Sequence, residues 1–265
     1  MFKDTLFDTH FHIFDAAQGV QGARYVPSYG ATLSAWQAEA ALVGISHGVL
    51  VQPSFLGCNN QLLLQALSQN KTTLRGVVVV APDVTSAELD AMDAIGVRGI
   101  RLNLSGQSHD LTEWLRAPHL WTTFMRLGWH VELHTDQGAL PEVLAQLPTA
   151  IALVIDHMGK PHAASAHDAS VAALRQRSKQ SPVYIKLSGA YRLGGVNPKA
   201  IAQVWLDELG VDRLLWGSDW PCTNHESEAN YAALFQSLKD WVGAHNQHAV
   251  LVTNPRTLYW PEISG

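Results

Sequence analysis

The sequence predicts a (β/α)8 barrel. Three observations carry that expectation: eight short apolar stretches of strand character, helix-patterned segments between them, and ionisable side chains collected where the strands end. The strands are expected at 5–12, 47–53, 74–82, 97–103, 129–134, 151–157, 183–189 and 213–220. Several are nearly unbroken apolar runs, as in "GVVVVAP", which suits a parallel sheet covered on both faces. A doubly wound open sheet is the alternative. No glycine-rich nucleotide fingerprint follows the first strand, where "HFHIFD" stands instead.

The helices follow in order. Residues 59–70 come after an asparagine that can cap them, and 85–96 open with Thr85 and Glu88 in capping-box spacing. Residues 104–128 carry the weakest pattern, with a helix expected from about Leu111. Within 138–148, Leu140, Val143, Leu144 and Leu147 share one face. A polar loop at 160–170, its histidines solvated, precedes the sixth helix. Over 197–210, Asn197 caps, Pro198 suits the first turn and Gly210 stops the helix. Residues 228–241 place Tyr231, Leu234, Phe235 and Leu238 on a stripe.

At 265 residues and 47% hydrophobic composition, the chain is long and apolar enough for one domain over 1–265. A formal charge of -5 with 15% charged residues argues against a nucleic-acid surface. The two cysteines, Cys58 and Cys222, are far apart and form no disulfide framework. The longest apolar run is too short to cross a bilayer and no leader pattern is visible, so a cytoplasmic protein without membrane contact is expected. Association into an oligomer is left open.

In a barrel of this kind, chemistry gathers at the C-terminal ends of the strands. His10 and His12 end strand 1 and, two residues apart, point to one side. His134 ends strand 5, His157 strand 6 and Asp219 strand 8. One reading has His10, His12, His134 and Asp219 hold a zinc ion that polarises a carbonyl and acidifies water. Asp219 then accepts the proton of that water and His157 orients or protonates an oxygen of the reacting group. A metal-free reading keeps Asp219 as the activator of water and gives His10, His12 and His157 the carbonyl oxygen. Arg101 and Arg192 suit a substrate carboxylate. Gln52 and Ser54 suit a substrate oxygen, while Tyr25, Ser188, Tyr191 and Trp220 suit the mouth.

The stretches "FDTHFHIFD", "VLVQPSFLGCNN", "RGIRLN", "VIDHMGKP", "KLSGAYR", "LLWGSDWPC" and "NPRTLYW" span nearly the whole chain. In this order they resemble the amidohydrolase-related family (amidohydrolase 2) that contains the 2-pyrone-4,6-dicarboxylate and sugar lactonases. The resemblance implies a barrel of the metal-dependent hydrolase type and hydrolysis of a small acidic lactone. It gives His10, His12, His157 and Asp219 catalytic positions, and Arg101 and Arg192 substrate carboxylates. Dicarboxylate lactonases of the family work without a metal and carry tyrosine where this chain has His134; metal-binding relatives carry histidine. Their additional cation after strand 4 is missing from "LNLSGQSHD", where His109 is the nearest substitute. No lysine ends strand 4 or 5 to bridge two metals, since Lys186 lies inside strand 7, so any site is mononuclear. Two further readings stand beside the lactonase: a metal-dependent decarboxylase of an unsaturated or aromatic acid, and a non-catalytic small-molecule binding protein.

Overall fold

Eight parallel strands follow one another around a sheet in sequence order in the computed structural model, which describes residues 5–261. They are β1 Leu6–Phe11, β2 Ile45–Val51, β3 Leu74–Val78, β4 Val97–Asn103, β5 His130–His134, β6 Leu153–Ile155, β7 Val183–Leu187 and β8 Leu214–Trp216. Closure back to β1 comes from Thr9 Oγ1 donating to Trp216 O at 2.7 Å, Asp219 N to His10 O at 2.8 Å and His12 N to Trp220 O at 2.8 Å. Gly217 is what lets the two edges meet: a Cβ there would lie 2.5 Å from His10 Cβ.

The helices are α1 Leu33–Leu42, α2 Gln61–Gln69, α3 Ser86–Ala94, α4 Thr112–Leu115, α5 Pro118–Arg126, α6 Leu140–Leu144, α7 Ala169–Arg177, α8 Pro198–Leu209, α9 Tyr231–Val242 and α10 Asn254–Tyr259. The Thr85–Glu88 capping box opens α3, and the Asn197 side chain accepts from Ala200 N at the start of α8. Asn60 does not cap α2. Its carboxamide ties the loop to the chain after β3 instead, donating to Val79 O and accepting from Val79 N. The α1 helix has no apolar stripe to announce it, because only Trp36 and Ala40 are buried. Among the described residues, no helix is long and apolar enough to cross a membrane.

Strands β6 and β8 stop before their expected ends. His157 (φ 50°) and Asp219 (φ 57°) adopt left-handed backbone, which takes both side chains out of the strand. Inside the barrel, steps of two residues build layers. Phe7, Val49, Val77, Val154, Tyr184 and Leu215 form an apolar floor, closed from below by Tyr259 and Trp260. One step up, β4, β5, β7 and the end of β6 supply Arg101, Glu132, Lys186 and Asp156, all buried. The histidines lie above these charges.

Candidate active site

A cavity of about 410 Å³ opens above the charged layer at the C-terminal ends of the strands. Its base is a triangle of donors. His10 Nε2 lies 3.3 Å from His12 Nε2, and Asp219 Oδ1 lies 3.5 Å and 3.3 Å from those nitrogens. His157 Nε2 is 4.0 Å from the same oxygen. The other carboxylate oxygen, Oδ2, accepts from Tyr191 OH and Arg192 Nε, both at 2.8 Å. Asp219 is thus held from two sides.

Partners fix the imidazoles. His12 Nδ1–H donates to Val51 O at 2.7 Å, which leaves Nε2 facing the triangle as an acceptor. Ser188 Oγ accepts from His157 N at 3.3 Å and lies 3.0 Å from Nδ1; when its hydroxyl donates to that nitrogen, His157 Nε2 carries the proton. Gly189 brings this contact about: at φ 55°, a Cβ would stand 2.5 Å from His157 Nδ1. His10 Nδ1 meets Lys186 Nζ at 3.1 Å and Asp156 Oδ1 at 3.1 Å. Accepting from the lysine puts the His10 proton on Nε2; donating to Asp156 leaves Nε2 open.

Burial dominates the electrostatics. It holds His10 and His134 well below the usual imidazole range and takes His157 down to about 3, so these rings are neutral at pH 7. For Asp219, burial pushes up, but the charge of Arg192 outweighs it and keeps the carboxyl well below the usual range. In the layer beneath, burial and the neighbouring Asp156 push Glu132 up to about 8 against the pull of Lys186 and Arg101.

The triangle suits one cation. A tetrahedral zinc with bonds of about 2.0–2.2 Å separates its ligand atoms by roughly 3.3–3.6 Å, and the three observed edges lie in that range. His12 also has its second nitrogen on a carbonyl, the usual support for a ligating imidazole. His134 stands further round the ring, its donor atom within 4.8 Å of those of Asp156 and His157, and neither of its nitrogens has a hydrogen-bond partner among the described residues.

The other expected residues divide. Ser54, Tyr25, Tyr191, Arg101 and Arg192 line the cavity. Arg101 is committed below it, with Nε and Nη2 on Asp156 Oδ2 at 3.1 Å and 2.9 Å. Gln52 is turned away: its amide nitrogen donates to Gly57 O and Asn59 O and so shapes the loop behind Ser54. Ser188 acts through His157 rather than at the mouth, and Trp220 packs against Phe14 and Phe55. His109 lies outside the lining, between Asp136 and Glu142 at 3.5 Å from each. Lys160, Arg24, Asn103 and Thr223 line the wall without having been anticipated. The sequence did carry a signal for the layer beneath: Glu132 and Lys186 are single charges inside otherwise apolar strands.

The chain is similar to known proteins over nearly its whole length. It is 29% identical to a 2-pyrone-4,6-dicarboxylate hydrolase of Comamonas testosteroni, over 96% of this chain and 90% of that protein. It is 30% identical to a 4-sulfomuconolactone hydrolase of Rhizobium radiobacter, over 96% and 89%. A solved structure from Acinetobacter baumannii, described as a probable 2-pyrone-4,6-dicarboxylic acid hydrolase with citric acid bound, superposes with a TM-score of 0.84 at 33% identity, covering 97% of this chain and 99% of that one. The family model for amidohydrolases matches residues 7–260, and the chain belongs to that family.

Proposed function

We propose that the chain hydrolyses a small lactone that carries a carboxylate, with Asp219 as proton acceptor and neutral histidines around the carbonyl oxygen. The observation that carries this reading is the placement of Asp219 Oδ1, which faces His10, His12 and His157 at the base of a cavity whose wall is rich in cations. The two lactone hydrolases named above support the ring; the cations support its acid group.

A water molecule at Asp219 Oδ1 gives that oxygen a proton as it attacks the lactone carbonyl carbon. Oδ2 takes no part, because Tyr191 and Arg192 occupy it. Held well below its ordinary range, Asp219 stays ionised at neutral pH and accepts the proton only as the attack develops. His157 Nε2–H donates to the forming oxyanion; being neutral beforehand, it costs no net charge in the free site. The tetrahedral centre then collapses. The ring C–O bond breaks, the departing ring oxygen takes the proton from Asp219, and a hydroxy acid or its enol tautomer leaves. Arg192, at the cavity wall, orients the substrate carboxylate. His10, His12 and Asp219 are the residues that would hold a single zinc ion, which when bound polarises the carbonyl and lowers the pKa of water.

The test is product analysis on a panel of carboxylate-bearing lactones, following acid release and CO₂ together. Ring opening with all carbon retained is expected, with Asp219→Asn lowering kcat by about 10³-fold, within the range for loss of a general base. Release of CO₂, or tight binding without turnover, would overturn the reading.

A further inference from the structure

We propose that His134, with Asn103 beside it, is a further catalytic residue that holds the lactone ring oxygen as its bond to the carbonyl carbon breaks. The inference rests on the lactonase reading and adds the group that serves the departing oxygen.

Asn103 closes β4 and His134 closes β5, and the two are partners in the parallel register. Two residues earlier the same strands supply Arg101 and Glu132, so the alternation brings Asn103 and His134 to the layer above those charges. Leu104 N donates to His134 O at 2.7 Å and carries the pairing one step past the strand ends. Both residues line the cavity. His134 is 8% exposed, and both its ring nitrogens lack a hydrogen-bond partner among the described residues, as does the buried Asn103 Oδ1. Buried polar atoms are rarely left so. The groups around them are engaged: His12 Nδ1 with Val51 O, Asp219 Oδ2 with Tyr191 and Arg192, and Arg101 with Asp156. Asn103 and His134 therefore offer a pair of uncharged hydrogen-bonding groups, the imidazole being neutral because burial holds it well below its usual range.

The carbonyl oxygen and the ring oxygen of a lactone sit on the same carbon, so the groups that serve them must be neighbours. His157 serves the first. His134 is the imidazole beside it: the ring centroids lie 4.7 Å apart at 87°, and a nitrogen of each falls within 4.8 Å of the other. His157 Nε2 also lies 4.0 Å from Asp219 Oδ1, where the water attacks. With water at Asp219 and the carbonyl oxygen at His157, the remaining oxygen of that carbon falls to His134 and Asn103. When the tetrahedral centre collapses, the carbonyl re-forms and the ring C–O bond breaks, leaving its electron pair on the ring oxygen. A His134 N–H and the Asn103 amide donate to that oxygen until the proton held by Asp219 reaches it. His134 itself neither gains nor loses a proton. Its hydrogen bond strengthens as charge gathers on the oxygen, which is what makes such a donor catalytic.

The experiment measures kcat on carboxylate-bearing lactones that release an alcohol, a phenol or an enol, for the intact protein and its His134→Phe, His134→Gln and Asn103→Leu variants. An enol oxygen departs readily unaided and an alkoxide does not. His134→Phe should therefore slow the alcohol-releasing lactones by about 100-fold and the enol-releasing ones by less than about tenfold, so that log kcat falls more steeply with the pKa of the released hydroxyl. His134→Gln keeps an N–H donor and should recover at least about tenfold of the loss. Asn103→Leu should show the same bias toward the alcohol-releasing lactones, and serves as the test if His134→Phe does not fold. The metal content of each variant should match that of the intact protein. Equal slowing across the series, unchanged kcat, or metal lost with His134 overturns the proposal. So does an intact protein that opens only enol-releasing lactones, which need no such donor. Ring opening with an even loss sinks only the role of His134; no ring opening of any lactone by the intact protein sinks the lactonase reading beneath it.

Discussion

Arg192 Nε lies 2.8 Å from Asp219 Oδ2, the carboxylate oxygen turned away from His10 and His12. Arg192 Nη2 also donates to Thr223 O at 3.0 Å, so the guanidinium is itself braced. The arginine therefore aims Oδ1 at the reacting centre as well as offering charge to a substrate. Arg192→Met should lower kcat by about 10–100-fold, and Arg192→Lys should rescue it poorly, since an ammonium cannot make both contacts in that fork geometry. Steady-state kinetics decide. A rise in KM with kcat unchanged would mean that Arg192 binds substrate without orienting Asp219.

The donor triangle of His10, His12 and Asp219 makes a prediction about metal that differs from the set read off the sequence. Elemental analysis of protein purified without added metal should give about one zinc per chain, as a three-donor site with one open position implies. His12→Ala should lose nearly all of it. His134→Ala should keep it, because His134 is grouped with Asp156 and His157 instead. Equal loss in both variants would restore His134 to the ligand set.

The barrel was legible because both-face burial leaves apolar runs that one sequence shows plainly, and because His10, His12, His157 and Asp219 sit where such runs stop. The lengths of β6 and β8 were not legible. The left-handed turns at His157 and Asp219 depend on contacts with Ser188 and with His10 O, residues distant in the chain. Gln52 misled for a related reason: its side chain serves the carbonyls of Gly57 and Asn59, and spacing cannot tell a loop brace from a ligand contact. Arg24 was hidden because it lies on no regular element, so no period places it.

Lys186 supports the histidines from below. Fully buried, it bonds to Glu132 Oε2 and lies 3.1 Å from His10 Nδ1. Removing one member of a buried charge pair strands the other, which costs about 3–5 kcal/mol. Above pH about 8, where Glu132 is ionised, Lys186→Met should lose stability on that scale by urea denaturation. Adding Glu132→Gln should return part of it, since the uncompensated carboxyl is then gone. A double variant no more stable than Lys186→Met would show that packing, rather than charge, is what Lys186 provides.

His130 offers the cleanest test of the buried imidazoles against pH, because it lies beneath the site and packs on Tyr259. Burial, helped by the charge of Lys186, lowers its pKa from 6.5 to about 3. The sign follows from proton counts. Below pH 6.5 the unfolded chain takes up a proton at this ring and the folded chain does not. Stability is therefore intact above that value and falls as pH drops toward about 3, by at most about 1.4 kcal/mol per pH unit for this one group. His130→Gln cannot titrate. Urea midpoints measured at pH 7 and pH 5 should thus separate less in the variant than in the unaltered protein, by about 1–2 kcal/mol once converted to free energy. The remaining dependence belongs to His10, His134 and His157, whose folded-state values are also lowered. Identical pH dependence in the two proteins would mean that His130 gains its proton equally in both states, and the burial argument for this ring would fail.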